Sequence, residues 1–81
     1  MRALVIVLML TATVRADAPG DAAILDGTKL AEQGHYEEAI VRFKAARTAA
    51  PGRPDPDCLI ALAYRRLERW SQARLFLGRC T

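Results

Sequence analysis

The stretch GHYEEAIVRFKAA at residues 34–46 decides the fold. Its Gly34 is suited to end a helix, because glycine adopts the left-handed backbone conformation that other residues avoid. From Tyr36 onward, apolar residues recur at steps of three and four, which is the spacing of one face of a helix. The stretch therefore predicts a turn followed by a second helix, which runs from Tyr36 or Glu37 to Ala49.

The same order of residue types returns 34 residues further along the chain. A fixed period of this kind is the sequence signature of a repeated structural unit. It predicts that the first helix hairpin is followed by a second hairpin of the same design. The corresponding pairs are Gly27 and Ala61, Leu30 and Tyr64, Tyr36 and Trp70, Ala39 and Ala73, Phe43 and Leu77, and Ala46 and Cys80.

The remaining helix boundaries follow from local signals. Helix one is expected from about Asp21, acting as its N-cap, to Gln33. Helix three is expected to open with Asp55 as N-cap and Pro56 as its first helical residue. Helix four starts near Trp70. No segment outside the N-terminal region has the spacing of a strand, so the predicted fold is all-α with two antiparallel helix hairpins.

The period of 34 residues, the turn glycine, the aromatic after it and Pro51 together resemble the tetratricopeptide repeat. The resemblance covers residues 21–81, with repeat one at about 20–53 and repeat two at about 54–81, incomplete at the C-terminus. It implies that the hairpins stack as a short α-solenoid. The chain departs from the family at Asp26, where a large apolar residue is usual, so the outer face of helix one is expected to be polar.

Small residues at matching positions would let the paired helices approach closely, with Gly27 against Ala39 and Ala61 against Ala73. Tyr36 and Trp70 are expected to fill the wedge at each turn, while Phe43 and Leu77 would seal each hairpin against the next. The residues expected to pack the repeat are Gly27, Tyr36, Ala39, Phe43, Ala46, Ala61, Tyr64, Trp70, Ala73 and Leu77.

The first 16 residues have the composition of a signal peptide. A basic start is followed by an unbroken apolar run over residues 3–10, and the small Ala16 fits a cleavage site before Asp17. The apolar run is about half of the roughly 20 residues that a membrane-spanning helix needs. Export to a periplasmic or extracellular space is therefore expected, and an uncleaved membrane anchor over residues 3–14 stays open as the alternative. Residues 17–20 are expected to form a flexible lead-in.

The basic balance of the chain depends on that N-terminal segment. The net charge is +3, and both Arg2 and Arg15 lie in the segment, so cleavage would lower the net charge to +1. A nucleic-acid partner is therefore not expected from charge alone. A membrane partner is expected only if the segment is not cleaved.

Cys58 and Cys80 are the only two cysteines, and both lie at the same end of the second hairpin. Oxidising compartments allow a disulfide, and closing this loop would contribute about 3 kcal/mol in the chain-entropy account. The alternative is that Cys80 fills the small-residue position that Ala46 occupies in the first repeat. With His35 as the only histidine, the two cysteines cannot complete the four-ligand set of a zinc site.

Neither a nucleophile–base pair nor a phosphate-binding loop can be assembled from the sequence. We therefore expect no enzymatic activity, no cofactor and no metal. Glu37 and Glu38 suit the positive start of a helix better than an acid–base pair.

The tetratricopeptide resemblance implies a scaffold that holds a peptide or partner helix in a concave groove, lined by the first helix of each repeat. The family's lysine and asparagine clamp for a terminal carboxylate has no counterpart here. Arg65 and Arg66 could attract an acidic segment, although a solvated face is the simpler interpretation. The groove residues expected on this chain are Ile24, Thr28, Leu59, Leu62, Arg65 and Arg66, with Ala31 and Glu32 beside them.

Two alternatives stay open for the function. The chain could be a truncated fragment of a longer repeat protein without independent function, because repeat arrays normally need about three units. In that case the open face near Leu75, Phe76 and Leu77 would be adhesive, and it could also support self-association. The other alternative is a basic peptide for anionic lipid or nucleic acid, which would use Arg65, Arg66, Arg69, Arg74 and Arg79.

Overall fold

A computed structural model describes residues 18–80 as four α-helices. They are α1 at Asp21–Glu32, α2 at Tyr36–Ala49, α3 at Asp55–Arg66 and α4 at Trp70–Arg79. Each helix packs against the next one in the chain, so that α2 contacts α1 and α3, and α3 contacts α2 and α4. Residues 18–80 contain no strand. The all-α, helical-repeat-like fold expected from the sequence is confirmed.

The helix boundaries agree with the sequence to within one or two residues. Helix α1 ends at Glu32 rather than Gln33, and α2 and α4 begin at the two aromatic residues that mark the turns. The expected signal peptide at residues 1–16, the alternative anchor at residues 3–14 and the final Thr81 lie outside the described residues.

Gly34 forms the turn of the first hairpin as expected. Its φ angle is 85°, in the left-handed region. The N–H of Gly34 donates to the carbonyl oxygen of Ala31 at 2.9 Å, and the N–H of His35 donates to that of Leu30 at 2.9 Å. Both bonds satisfy carbonyl groups that the end of α1 would otherwise leave without partners.

The second hairpin makes the same turn without a glycine. Glu68 has a φ angle of 58°, and its N–H donates to the carbonyl oxygen of Arg65 at 2.9 Å. The N–H of Arg69 donates to that of Tyr64 at 2.9 Å, which repeats the bonding of the first turn. A non-glycine residue in this region carries a cost of roughly 1–2 kcal/mol. The repeated geometry is therefore imposed by the packing of α3 on α4 rather than by local preference.

The two aspartates expected as N-caps have a different role. Asp21 and Asp55 are the first helical residues of α1 and α3, and neither helix has a side-chain cap. Their carboxylates instead accept hydrogen bonds from Arg53, whose nitrogens lie 2.7 Å from each of them. Arg53 also donates to the carbonyl oxygen of Pro19 at 2.9 Å. The prediction that Asp21 and Asp55 are N-caps was wrong, because the guanidinium of Arg53 binds both carboxylates. These bonds join the loop between the repeats to the start of α1.

The pKa values of this cluster follow from the same bonds. Hydrogen bonding from Arg53 holds the pKa of the Asp55 carboxyl below its usual value, and the two carboxylates raise the pKa of Arg53. Arg53 and Asp55 are therefore both charged around neutral pH.

Alanines occupy the positions where the helices approach each other most closely. Ala39 and Ala46 are fully buried, and Ala61 and Ala73 are at most 5% exposed. This burial agrees with the small-residue positions expected from the repeat. The larger buried side chains of the core are Ile40, Phe43, Ile60, Tyr64 and Phe76.

Gly27 of α1 lies directly against the ring of Phe43 in α2. A Cβ atom built at Gly27 would lie 2.5 Å from Cε1 and 2.7 Å from Cδ1 of that ring, closer than real side chains come. The sequence paired Gly27 with Ala39, whereas the nearest side chain is that of Phe43. The missing side chain therefore makes room for Phe43, the largest fully buried side chain of the first hairpin.

Asp57 is the buried charged residue of the core, at 8% exposure. Nε of Arg47 lies 2.9 Å from its Oδ1, although that oxygen has no hydrogen bond of good geometry within residues 18–80. Arg47 and Asp57 therefore form an ion pair in which the Nε–H of Arg47 does not point at Oδ1 of Asp57. It compensates a charge that would be costly to bury alone, and it joins α2 to α3.

Trp70 and Leu77 differ from the expected packing. They are 56% and 55% exposed, whereas Phe43, the repeat counterpart of Leu77, is 2% exposed. Helix α3 lies beside α2, but the described residues place no helix at the corresponding side of α4. Phe76 is the buried aromatic of α4 instead, with its ring centroid 5.7 Å from that of Tyr64.

The contact between Gly27 and Phe43 predicts a loss of stability for Gly27→Ala. The added methyl group must displace the ring of Phe43, which is expected to lower the free energy of unfolding by about 1–3 kcal/mol. This exceeds the roughly 1 kcal/mol that alanine offers over glycine in a helix. Urea unfolding followed by circular dichroism measures the difference.

Gly78→Ala is the matched control, because no atom lies within 4 Å of a Cβ at that position in α4. Only helix propensity acts there, so the free energy of unfolding is expected to stay constant or rise by up to about 1 kcal/mol. Equal stabilisation by both substitutions would contradict the close contact of α1 and α2.

Candidate functional site

A groove of about 360 Å³ lies on the surface, with α1 and α3 as its walls. Tyr36 and Phe43 of α2 contribute to its lining, because α2 packs against both walls. Most of the lining side chains are apolar. The residues that line the groove are Thr28, Ala31, Glu32, Tyr36, Phe43, Leu59, Leu62, Ala63 and Arg66.

The hydroxyl group of Thr28 in the α1 wall is already bonded within the helix. The hydroxyl of Thr28 donates to the carbonyl oxygen of Ile24, one turn earlier, at 2.8 Å. On the opposite wall, Leu62 is 52% exposed. The groove therefore offers mainly carbon surface, which suits an apolar side chain of a ligand.

Two charged residues stand at one end of the groove. Glu32 and Arg66 are the last residues of α1 and α3, and both line the groove. Arg66 suits the negative end of its helix dipole, whereas Glu32 opposes the dipole of α1. A ligand that leaves the apolar part of the groove at this end would meet both charges.

The structure brings most of the expected groove residues together. Thr28, Leu59, Leu62 and Arg66 line the groove, but Ile24 and Arg65 do not. A helix turns by about 100° per residue, so Arg65 points in a different direction from Arg66. Ile24 lies one turn before Thr28 on the same face of α1, and the groove does not extend as far as Ile24.

Arg65 lies in a second, adjoining pocket of about 250 Å³. Leu62, Arg66 and Trp70 are its other lining residues, so the second pocket shares Leu62 and Arg66 with the groove. Tyr36 and Phe43 were expected only as packing residues. Tyr36 directly follows the turn after α1, and Phe43 lies on the inner face of α2. These two positions were the sequence signal that both side chains also border the space between α1 and α3.

Two of the five arginines proposed for a basic surface are engaged within the chain. Arg69 donates to Glu37 at 2.6 Å, which joins the starts of α2 and α4. The guanidinium of Arg79 lies 5.1 Å from the ring centroid of Phe76, within the range of a cation–π contact. Their positive charges thus contribute to contacts between or along helices.

Cys58 near the start of α3 and Cys80 directly after α4 lie within disulfide distance. Their Cα atoms are 4.8 Å apart, in the range that a disulfide requires. This position agrees with the expected pairing across the open end of the second hairpin. A bonded pair is compatible with an oxidising, exported environment.

Comparisons with known proteins identify no relative: the chain matches no protein-family model, no curated protein and no solved structure. Within residues 18–80, no helix combines the length and the apolar character that crossing a membrane demands. The same residues contain no group of three side chains suited to hold a metal ion.

The Cys58–Cys80 pair predicts that reduction destabilises the protein. Opening the link releases the loop between the two residues, so the free energy of unfolding is expected to fall by about 3 kcal/mol in the chain-entropy account. Thermal unfolding with and without dithiothreitol measures this loss.

The variant with both Cys58→Ala and Cys80→Ala serves as the control, since its melting temperature should not respond to dithiothreitol. Two titratable thiols in the oxidised native protein, together with the same melting temperature in both buffers, would rule out the bond.

Proposed function

We propose that the chain is an exported, non-enzymatic protein-interaction module of the tetratricopeptide-repeat type. It binds a peptide or a partner helix along the groove between α1 and α3. The observation that carries this proposal is the groove itself, whose walls come from the first helix of each hairpin and whose lining is mainly apolar.

The repeated packing supports the proposed family. The four small residues at matching positions of the two repeats are all buried, namely Gly27, Ala39, Ala61 and Ala73. The same left-handed turn also follows α1 and α3. A 34-residue spacing of both features is what the tetratricopeptide resemblance implies.

The groove has an exposed apolar surface that a partner would cover. Leu62 is 52% exposed at the centre of the lining set, between Leu59 and Arg66 of the same helix. Burying a leucine side chain in a partner interface stabilises a complex by about 1.5–3 kcal/mol. We therefore propose that an aliphatic side chain of the partner contacts Leu62.

Export is supported by two separate features. The N-terminal residues have the composition of a signal peptide, and the cysteine pair lies at a distance that suits an oxidising compartment. The proposed site of action is thus periplasmic or extracellular.

The groove predicts that Leu62→Glu weakens peptide binding. A carboxylate in the apolar lining would have to lose water when the ligand binds, so the dissociation constant is expected to rise at least about tenfold. The ligands for this test are dodecapeptides selected from a random displayed library on the full chain, and fluorescence anisotropy measures their affinity.

Val41→Glu is the matched control, because Val41 is 65% exposed on α2 and does not line the groove. It should leave the affinity unchanged, and circular dichroism should show the same helix content in both variants. An equal loss in both variants, or a library that yields no binding peptide, would contradict the proposed function.

A further inference from the structure

The pocket of Leu62, Arg65, Arg66 and Trp70, here called the Trp70 pocket, adjoins the groove at the last turn of α3. It shares Leu62 and Arg66 with the groove, so a single extended ligand can contact both. Helix α3 supplies three of its side chains and α4 supplies the fourth. The groove therefore has a chemically different end on the side of the second hairpin.

The two arginines of the Trp70 pocket have no carboxylate within ion-pair distance in residues 18–80, although Glu32 lines the adjoining groove. Within residues 18–80, neither Arg65 nor Arg66 forms an ion pair, whereas the nearby Arg69 is paired with Glu37 at 2.6 Å. Both free guanidinium groups come from consecutive residues of one exposed turn. A pocket with two unpaired positive charges attracts anions.

The pocket also contains an aromatic surface. Trp70 is 56% exposed although an indole ring has much to gain from burial, and Leu62 beside it is 52% exposed. An exposed tryptophan between arginines suits a ligand that has an apolar part next to a negative charge. Simple solvation of two arginines does not require a tryptophan in the same pocket.

We propose that the Trp70 pocket binds an aspartate or glutamate side chain of a peptide whose neighbouring aliphatic residues lie in the groove. This inference rests on the proposed function, and it names the partner as an acidic, aliphatic peptide. The carboxylate meets Arg65 and Arg66, while carbon atoms next to it pack on Trp70 and Leu62. Continuity with the apolar groove favours a peptide over a nucleic acid, whose phosphates would gain nothing from the carbon lining of the groove.

The positive potential of the pocket can be measured without a ligand, because Trp70 is the only tryptophan of the chain. Iodide should quench its fluorescence at least about twofold more strongly than caesium does, after both are normalised to free tryptophan amide. In the double variant with Arg65→Gln and Arg66→Gln, the preference for iodide should fall to that of the free amide.

Lys29→Gln with Arg42→Gln is the control of equal charge change, since both residues are exposed and neither lines the Trp70 pocket. It should keep the preference for iodide. An unchanged preference in the Arg65 and Arg66 variant, or no preference in the native chain, overturns the proposal while leaving the groove function intact.

Peptide selection on the full chain tests the partner. Dodecapeptides selected on the native chain should be enriched at least about threefold in aspartate and glutamate next to aliphatic residues, and the Arg65 and Arg66 variant should bind them about tenfold more weakly. Peptides that bind the groove without acidic enrichment contradict this inference alone. A chain that selects no peptide contradicts the proposed function, and tighter binding of a single-stranded oligonucleotide than of any selected peptide overturns the acidic-peptide partner.

Discussion

The close approach of α1 and α2 at Gly27 is the contact on which the rest of the structure depends. Phe43 fills the space that the missing side chain leaves, and it is 2% exposed as a result. A ring held at that depth also reaches the groove, where it borders the space between α1 and α3. The same close packing therefore both builds the core and shapes the surface that we propose as the binding site.

The two walls of the groove keep their places because side chains and turns connect the hairpins. Arg53 binds Asp21 at the start of α1 and Asp55 at the start of α3, while Arg47 pairs with the buried Asp57. The cysteine pair closes the far end of the second hairpin. These links act at the starts and ends of helices, which leaves the middle of α3 free to present Leu62.

The sequence predicted the elements that depend on local chemistry and on the 34-residue period. Gly34 marked the first turn, and the matched alanines marked the buried positions, because both follow from backbone geometry and helix spacing. The exposure of Trp70 was not predictable from the period, since the period does not show whether a neighbouring helix covers a face. The contacts of Arg53 depend on side-chain directions in three dimensions, which residue spacing does not contain. Spacing shows that Arg65 and Arg66 point in different directions, but which of them faces the groove depends on how α3 is rotated against α1.

The most direct test of the central contact is a nuclear Overhauser spectrum of the folded protein. We expect strong cross-peaks between the ring protons of Phe43 and the Hα protons of Gly27, together with an upfield ring-current shift of those Hα protons. Hα shifts of Gly27 at ordinary helical values, without cross-peaks to Phe43, would contradict the nesting of α1 on α2 and the groove that is built on it.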